Sequence, residues 1–220
     1  RSAYDPNWRN YNPRTYVGDV VQLLAVSDVH RVVVIGSSLG GLCAMGLGSI
    51  VPCALAGVVL IDIGPKIDGT GRDRIGGYVG VERRMASLEQ AADHLSRQYA
   101  HAYPDWDRAL WRAMADATFV FDAAAGNYRL DYDLRLAGAL QEQAAHDAAL
   151  DLWPLYRSLR DIPVLAVRAE LSDILDADTF ARMAEGMPKL TRLVVPNCGH
   201  VPLPDREPLA TAIDDFLRRV

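Results

Sequence analysis

Apolar and polar residues alternate along the chain in two different rhythms. Val32-Val33-Val34-Ile35, Gly57-Val58-Val59-Leu60-Ile61 and Pro163-Val164-Leu165-Ala166-Val167 are short, nearly continuous apolar runs, and Leu193-Val194-Val195 completes a fourth that opens at Thr191. Runs of this length and β-branched content read as strands, and the continuous ones as strands buried on both faces of a parallel sheet. Elsewhere the apolar residues recur every three or four positions. Val17, Val20, Val21 and Leu24 give an inward face to a helix over 13–26, capped by Asn12 and opened by Pro13. The small apolar stretch from Gly41 to Leu47 reads as a buried helix. Asp176 caps a helix carrying Phe180, Met183 and Met187, and Leu209, Ile213, Phe216, Leu217 and Val220 form the stripe of a closing helix. Strand, helix and strand within about thirty residues predict a parallel crossover unit.

Residues 66–155 change character. They are rich in Ala, Arg, Asp, Tyr and Trp, show helical patterns, and offer no convincing strand. Ser87-x-x-Gln90 is a capping box opening a helix to about Ala100. Pro104-Asp105 starts another, with Leu110, Trp111 and Met114 at helical spacing, and Asp133 to Ala145 is a third. The predicted architecture is therefore an α/β core, a mostly parallel sheet with flanking helices, built from residues 1–65 and 156–220. Residues 66–155 form a helical cap inserted into it, the usual place for a lid over a site. Trp106, Trp111 and Trp153 are expected to fill the core between cap and body.

The chain has 220 residues, half of them apolar, and a net charge of −5. That is enough for one domain with a real core. No basic cluster marks a nucleic-acid or anionic-membrane partner, and no apolar run is long enough to span a bilayer. The three cysteines lack metal-ligand spacing; Cys43 and Cys53 lie in apolar context and are expected as reduced, buried thiols of a cytoplasmic protein. His30, His94, His101 and His146 sit in a turn or in cap helices and read as structural or solvated.

The candidate chemistry centres on Gly36-Ser37-Ser38-Leu39-Gly40, between the run 32–35 and the helix after it. A strand that turns this sharply into a helix holds its middle residue in a strained, exposed conformation, and the G-x-S-x-G pattern is that of a nucleophile elbow. Gly36 and Gly40 are expected to be small because side chains there would collide with strand and helix. Serine needs a base, and the base needs an orienting carboxylate. Parallel strands deliver all their following loops to one edge. His200 follows the strand 191–195 in Asn197-Cys198-Gly199-His200-Val201-Pro202, and Asp173 follows the strand 164–168. Glu170 and Asp62 also follow strands at that edge and remain open as the acid. No metal or cofactor is called for.

The chain resembles the α/β-hydrolase family, in the branch with a helical cap. The matching pieces are Val34-Ile35-Gly36-Ser37-Ser38-Leu39-Gly40-Gly41, Val59-Leu60-Ile61-Asp62-Ile63-Gly64-Pro65, the stretch from Pro163 through Ser172 to Asp173, and Gly199-His200-Val201-Pro202 with its closing helix. Ala169 stands where members usually carry glycine. The resemblance implies a cofactor-free hydrolase with Ser38 as nucleophile, His200 as base, Asp173 as orienting acid, and the backbone N–H of Leu39 as one oxyanion donor. The implied reaction is cleavage of a small carboxylic ester, lactone or thioester. Hydrolysis of a C–C bond in a β-diketone-like substrate, or a non-catalytic ligand receptor on the same fold, are the alternatives.

The family carries a D-x-R-G-x-G-x-S segment after its fourth strand, and Arg1-Ser2-Ala3-Tyr4-Asp5-Pro6 is similar to its tail. The resemblance therefore predicts an N-terminally truncated sheet of four strands. Two consequences are expected: a weak hydrolase lacking a second oxyanion donor, and self-association through the exposed edge of the elbow strand.

Overall fold

The computed structural model describes residues 3–147 and 151–220, with the side chains of 143–147 left aside. The predicted tail at Arg1 and Ser2 thus lies partly outside the described residues, as does the side chain of His146. Helix α1 (Pro13–Val26) starts where Asn12 accepts a hydrogen bond from the Thr15 N–H at 2.9 Å, and Val17 is its buried contact with the body. Strand β1 (Val32–Ser37) runs into α2 (Leu39–Ile50), and β2 (Leu55–Ile61) returns parallel to β1.

The insertion holds more than helices. It contains α3 (Gly69–Tyr78), β3 (Arg84–Met85), α4 (Leu88–Tyr99), α5 (Arg108–Thr118), β4 (Phe119–Asp122), β5 (Asn127–Leu130), α6 (Leu136–Asp147) and α7 (Trp153–Arg157). Strands β3, β5 and β4 form a three-stranded antiparallel sheet in that order, against the expectation of an all-helical cap. The reason is length. Four-residue strands such as Phe119-Val120-Phe121-Asp122 are too short to display a period of two, although their aromatic and β-branched content was a signal. Gly126, at φ +66, supplies the turn between β4 and β5. Helix α5 also starts three residues later than Pro104-Asp105 suggested, because Asp107 provides the cap, accepting from the Leu110 N–H at 2.9 Å.

The chain then re-enters the main sheet through β6 (Val164–Ala169), α8 (Ala177–Arg182), β7 (Leu190–Val195) and α9 (Leu209–Leu217). The main sheet is parallel with order β1-β2-β6-β7. Alternation sorts its two faces. Val58, Leu60, Val164 and Ala166 pack with Ala44, Met45 and Leu47 of α2 on one side. Val59, Ile61, Leu165 and Val167 pack with Leu209, Ile213 and Phe216 of α9 on the other. This double burial is why β2 and β6 read as unbroken apolar runs.

The insertion has its own core, in which Trp111 is buried beside Ala91, Leu95, Tyr103 and Phe119, with Trp106 packed against it. Trp153 packs partly buried on the main core. The two cysteines expected to be buried depart from that: Cys53, in the single 3₁₀ turn Pro52–Ala54 before β2, is exposed, and Cys43 is half-buried. Among the described residues β1 pairs on one side only, and Ile35 on it is 46% exposed. No helix of the described residues is long and apolar enough to cross a membrane.

Candidate active site

The end of β1 and the start of α2 approach so closely that a Cβ on Gly36 would sit 2.4 Å from the Gly40 carbonyl carbon. The second glycine of the pattern plays no such part, because a Cβ on Gly40 would meet nothing within 4 Å. The close contact belongs to Gly41, where a Cβ would lie 2.2 Å from Ile63 Cγ2. Ser38 sits at the turn between them at φ 48°, ψ −116°, a conformation disfavoured for a residue with a Cβ and held here by its surroundings. Its N–H donates to Ile61 O at 3.2 Å, and its C=O accepts from the Gly41 and Leu42 N–H groups. The N–H of Leu39, the first residue of α2, belongs to the leading turn whose amides have no intrahelical acceptor.

The bond from Ser38 to Ile61 sets the serine beside the end of β2, where Asp62 follows. Asp62 is wholly buried, at φ +53, and its N–H donates to Val167 O at 2.8 Å. Its carboxylate has three partners. Oδ1 accepts from the Ala169 N–H at 2.8 Å, while Oδ2 accepts from the Ser172 hydroxyl at 2.7 Å and lies 2.8 Å from His200 Nδ1. The Ser172 Oγ accepts in turn from the Ile174 and Leu175 N–H groups at 3.1 and 3.0 Å, which leaves its one proton for Asp62. A carboxylate already accepting at both oxygens fixes the proton of the imidazole on Nδ1, so Nε2 is the nitrogen that can take a proton. The His200 side chain is 8% exposed.

The carboxylate expected to hold His200 is elsewhere engaged. Asp173 forms a two-pronged pair with Arg74 of α3, at 2.5 Å to Nε and 2.9 Å to Nη2. The guanidinium holds the Asp173 carboxyl below its usual range and raises Arg74 in turn. The backbone explains this choice. The Asp68 N–H donates to Ile174 O and the Gly71 N–H to Asp173 O, so α3 lies directly on the 172–174 loop and brings Arg74 over Asp173. A Cβ on Gly71 would be 2.3 Å from Asp173 O. Glu170, the third carboxylate at this edge, accepts from the Asn197 N–H at 2.9 Å. The geometry therefore corrects the expected pairing: Asp62 is bonded to His200, and Asp173 and Glu170 are not.

The histidine loop is held from the insertion as well. The Gly199 N–H donates to Ala102 O at 2.6 Å, and the Tyr103 hydroxyl lies 3.4 Å from Val201 O. Burial, reinforced by the Asp62 charge, pushes the Cys198 thiol up to about 11, which removes it as a nucleophile at neutral pH. Among the other histidines, His94 is pushed below its usual range, mainly by burial. Among the described residues no group of three or more His, Cys, Asp or Glu side chains is arranged to hold a metal. Ser172, Arg74, Ala102 and Tyr103 escaped sequence reasoning. Ser172 lies in the stretch from Pro163 to Asp173 that resembles the family, but nothing in a linear pattern tells which carboxylate a hydroxyl will meet.

Residues 2–212 match the model of the alpha/beta hydrolase family. The chain is 31% identical over 207 residues to a 3-hydroxybutyrate-oligomer hydrolase of Cupriavidus necator, covering 92% of this chain and 70% of that protein. It is 27% identical over 192 residues to a 2-(acetamidomethylene)succinate hydrolase of Mesorhizobium japonicum, covering 86% of this chain and 65% of that one. The crystal structure of an alpha/beta hydrolase from Novosphingobium aromaticivorans superposes with a TM-score of 0.93 at 36% identity, over all of this chain and 76% of that one. The parallel sheet with its strand-to-helix elbow and the match along nearly its whole length agree: this chain belongs to the α/β hydrolase family.

Proposed function

We propose that the protein is a serine hydrolase that cleaves small carboxylic esters, lactones or thioesters through an acyl-enzyme. Ser38 attacks the carbonyl carbon while His200 Nε2 takes the hydroxyl proton, and the same nitrogen returns it to the leaving group. A water then repeats the sequence on the acyl-enzyme, losing its proton to His200 and releasing the acid. Asp62 holds the Nδ1–H tautomer and stabilises the imidazolium formed in each step. The Leu39 N–H, at the positive end of α2, stabilises the oxyanion. The likeness to a hydrolase of 3-hydroxybutyrate oligomers, which are joined by ester bonds, favours an ester of a short hydroxy acid within this class.

The observation that carries the reading is the 2.8 Å contact from His200 Nδ1 to the wholly buried carboxylate of Asp62, which follows Ile61, the residue whose carbonyl accepts from the N–H of the strained elbow serine. The test is a panel of p-nitrophenyl esters of increasing acyl length with a few lactones. It is run beside a covalent serine probe on the parent chain and on Ser38→Ala, Asp62→Asn and Asp173→Asn. Probe labelling confined to Ser38 and turnover reduced by about 10⁴ in Asp62→Asn are expected. Asp173→Asn retains most of the turnover. Loss of turnover in Asp173→Asn with Asp62→Asn unaffected overturns the assignment of the acid, and absence of labelling at Ser38 overturns the reaction.

A further inference from the structure

A cavity of about 270 Å³ opens between the N-terminal segment and the small antiparallel sheet, lined by Tyr4, Arg83, Arg84, Arg129, Tyr132 and Leu134 among others. None of Ser38, Asp62 and His200 is in its lining. Two of its three arginines face each other across the sheet, because Arg84 is the register partner of Arg129 in the antiparallel β3–β5 pair. Like charges directly opposite are unfavourable unless something neutralises them. Arg84 is neutralised on its own side, by Glu82 at 2.9 Å and Asp122 at 3.1 Å.

Arg129 and Arg83 are not neutralised. Arg129 Nη1 donates to Leu130 O at 3.1 Å and lies 3.4 Å from the Tyr4 hydroxyl, both uncharged acceptors. Among the described residues no carboxylate lies within ion-pair distance of Arg83 or Arg129. Both acids in the lining are engaged elsewhere, Glu82 by Arg84, and Asp133 by Arg135 and by the Tyr11 hydroxyl at 2.8 Å. After burial, the charge of Arg83 is the next cause that holds His94 below its usual range. The cavity thus combines two guanidinium groups without a carboxylate partner among the described residues, Arg83 and Arg129, with walls of Tyr4, Tyr132, Leu130 and Leu134.

We propose that this cavity is a binding site for a small organic carboxylate, separate from the serine–histidine site. Its carboxylate is held by Arg83 and Arg129 and its short apolar body by the two tyrosines and two leucines. Guanidinium groups match carboxylate geometry with paired N–H bonds, and the apolar walls discriminate against a fully hydrated inorganic anion. The volume, at the small end for ligand pockets, suits an acid of a few carbons. A bound acid bridges residue 4 to β3 and β5 and so braces the N-terminal segment on the insertion.

Calorimetric titration of the chain with butyrate, with its neutral isostere butyramide and with inorganic phosphate tests the site. One butyrate per chain is expected, with butyramide about tenfold weaker or more. Arg83→Gln and Arg129→Gln should each weaken butyrate about tenfold. Arg83→Gln removes no side-chain hydrogen bond or ion pair among the described residues, so it remains informative if Arg129→Gln disturbs β5. No butyrate binding at millimolar concentration, binding indifferent to both substitutions, butyramide equal to butyrate, or phosphate bound more tightly than butyrate would each overturn the proposal.

Discussion

Ser172 is the residue whose substitution most directly tests how the site is held. Ser172→Ala removes the 2.7 Å donor to Asp62 Oδ2 and the acceptor shared by the Ile174 and Leu175 N–H groups. A hydrogen bond to a charged group contributes about 1.5–3 kcal/mol. Expressed wholly in the transition state, that is about 10- to 150-fold in rate, at about 1.4 kcal/mol per decade. Part of it is lost from the ground state as well, because the two amides and the buried carboxylate lose their partner before substrate arrives. The expected fall in kcat is therefore at the lower end, about tenfold, with KM little changed and unfolding free energy lowered by about 1–3 kcal/mol. The split between kcat and KM separates positioning from plain destabilisation. Ser172→Thr keeps a hydroxyl at the same branch and should restore the rate. Steady-state kinetics with urea melts on the three proteins make the comparison. An Ala variant with parental kcat, or a Thr variant as impaired as Ala, refutes the role.

Further outcomes follow from other contacts. Asp173→Asn should lower stability by about 1–2 kcal/mol at pH 7, between the values for exposed and buried pairs. Because Arg74 depresses the folded-state pKa of Asp173, that contribution is complete above the unfolded carboxylate's ~3.9 and is lost as pH falls through the folded value. Urea melts should thus show the gap closing in acid, and a gap of constant size would contradict the ion pair as its source. Gly36→Ala should fail to fold or lose more than about 3 kcal/mol, since the Cβ meets backbone, whereas Gly40→Ala should be neutral or gain up to about 1 kcal/mol from helix propensity. Equal denaturation midpoints for the two variants would be at odds with the elbow geometry. The pairing of β1 on one side only among the described residues, with Ile35 exposed on it, predicts concentration-dependent self-association, reduced in Ile35→Lys; light scattering from a monomer at every concentration tested would exclude it.

What the linear pattern made legible is what depends on neighbours along the chain. The unbroken runs of β2 and β6 follow from burial on both faces, the Asn12 and Ser87 caps from local hydrogen bonds, and the Ser38 elbow from a strand meeting a helix with no residues to spare. The short strands β3, β4 and β5 were illegible because each pairs with a segment beyond its own period. The acid was illegible for a deeper reason. Parallel strands bring Asp62, Glu170 and Asp173 to the same sheet edge, and sequence order does not rank them. The choice is made by competition for partners that arrive from far along the chain. Arg74 reaches Asp173 only because α3 lies on the 172–174 loop, and Asn197 claims Glu170 only because β6 and β7 are neighbours. Asp62 is left buried where the Ala169 N–H and the Ser172 hydroxyl point inward, so it is the carboxylate already satisfied and aimed when His200 arrives. On this argument Arg74 acts on the choice of acid as much as on the docking of α3: freeing Asp173 restores a second carboxylate to the edge, and the site's fidelity to Asp62 then rests on Ser172 and Ala169 alone.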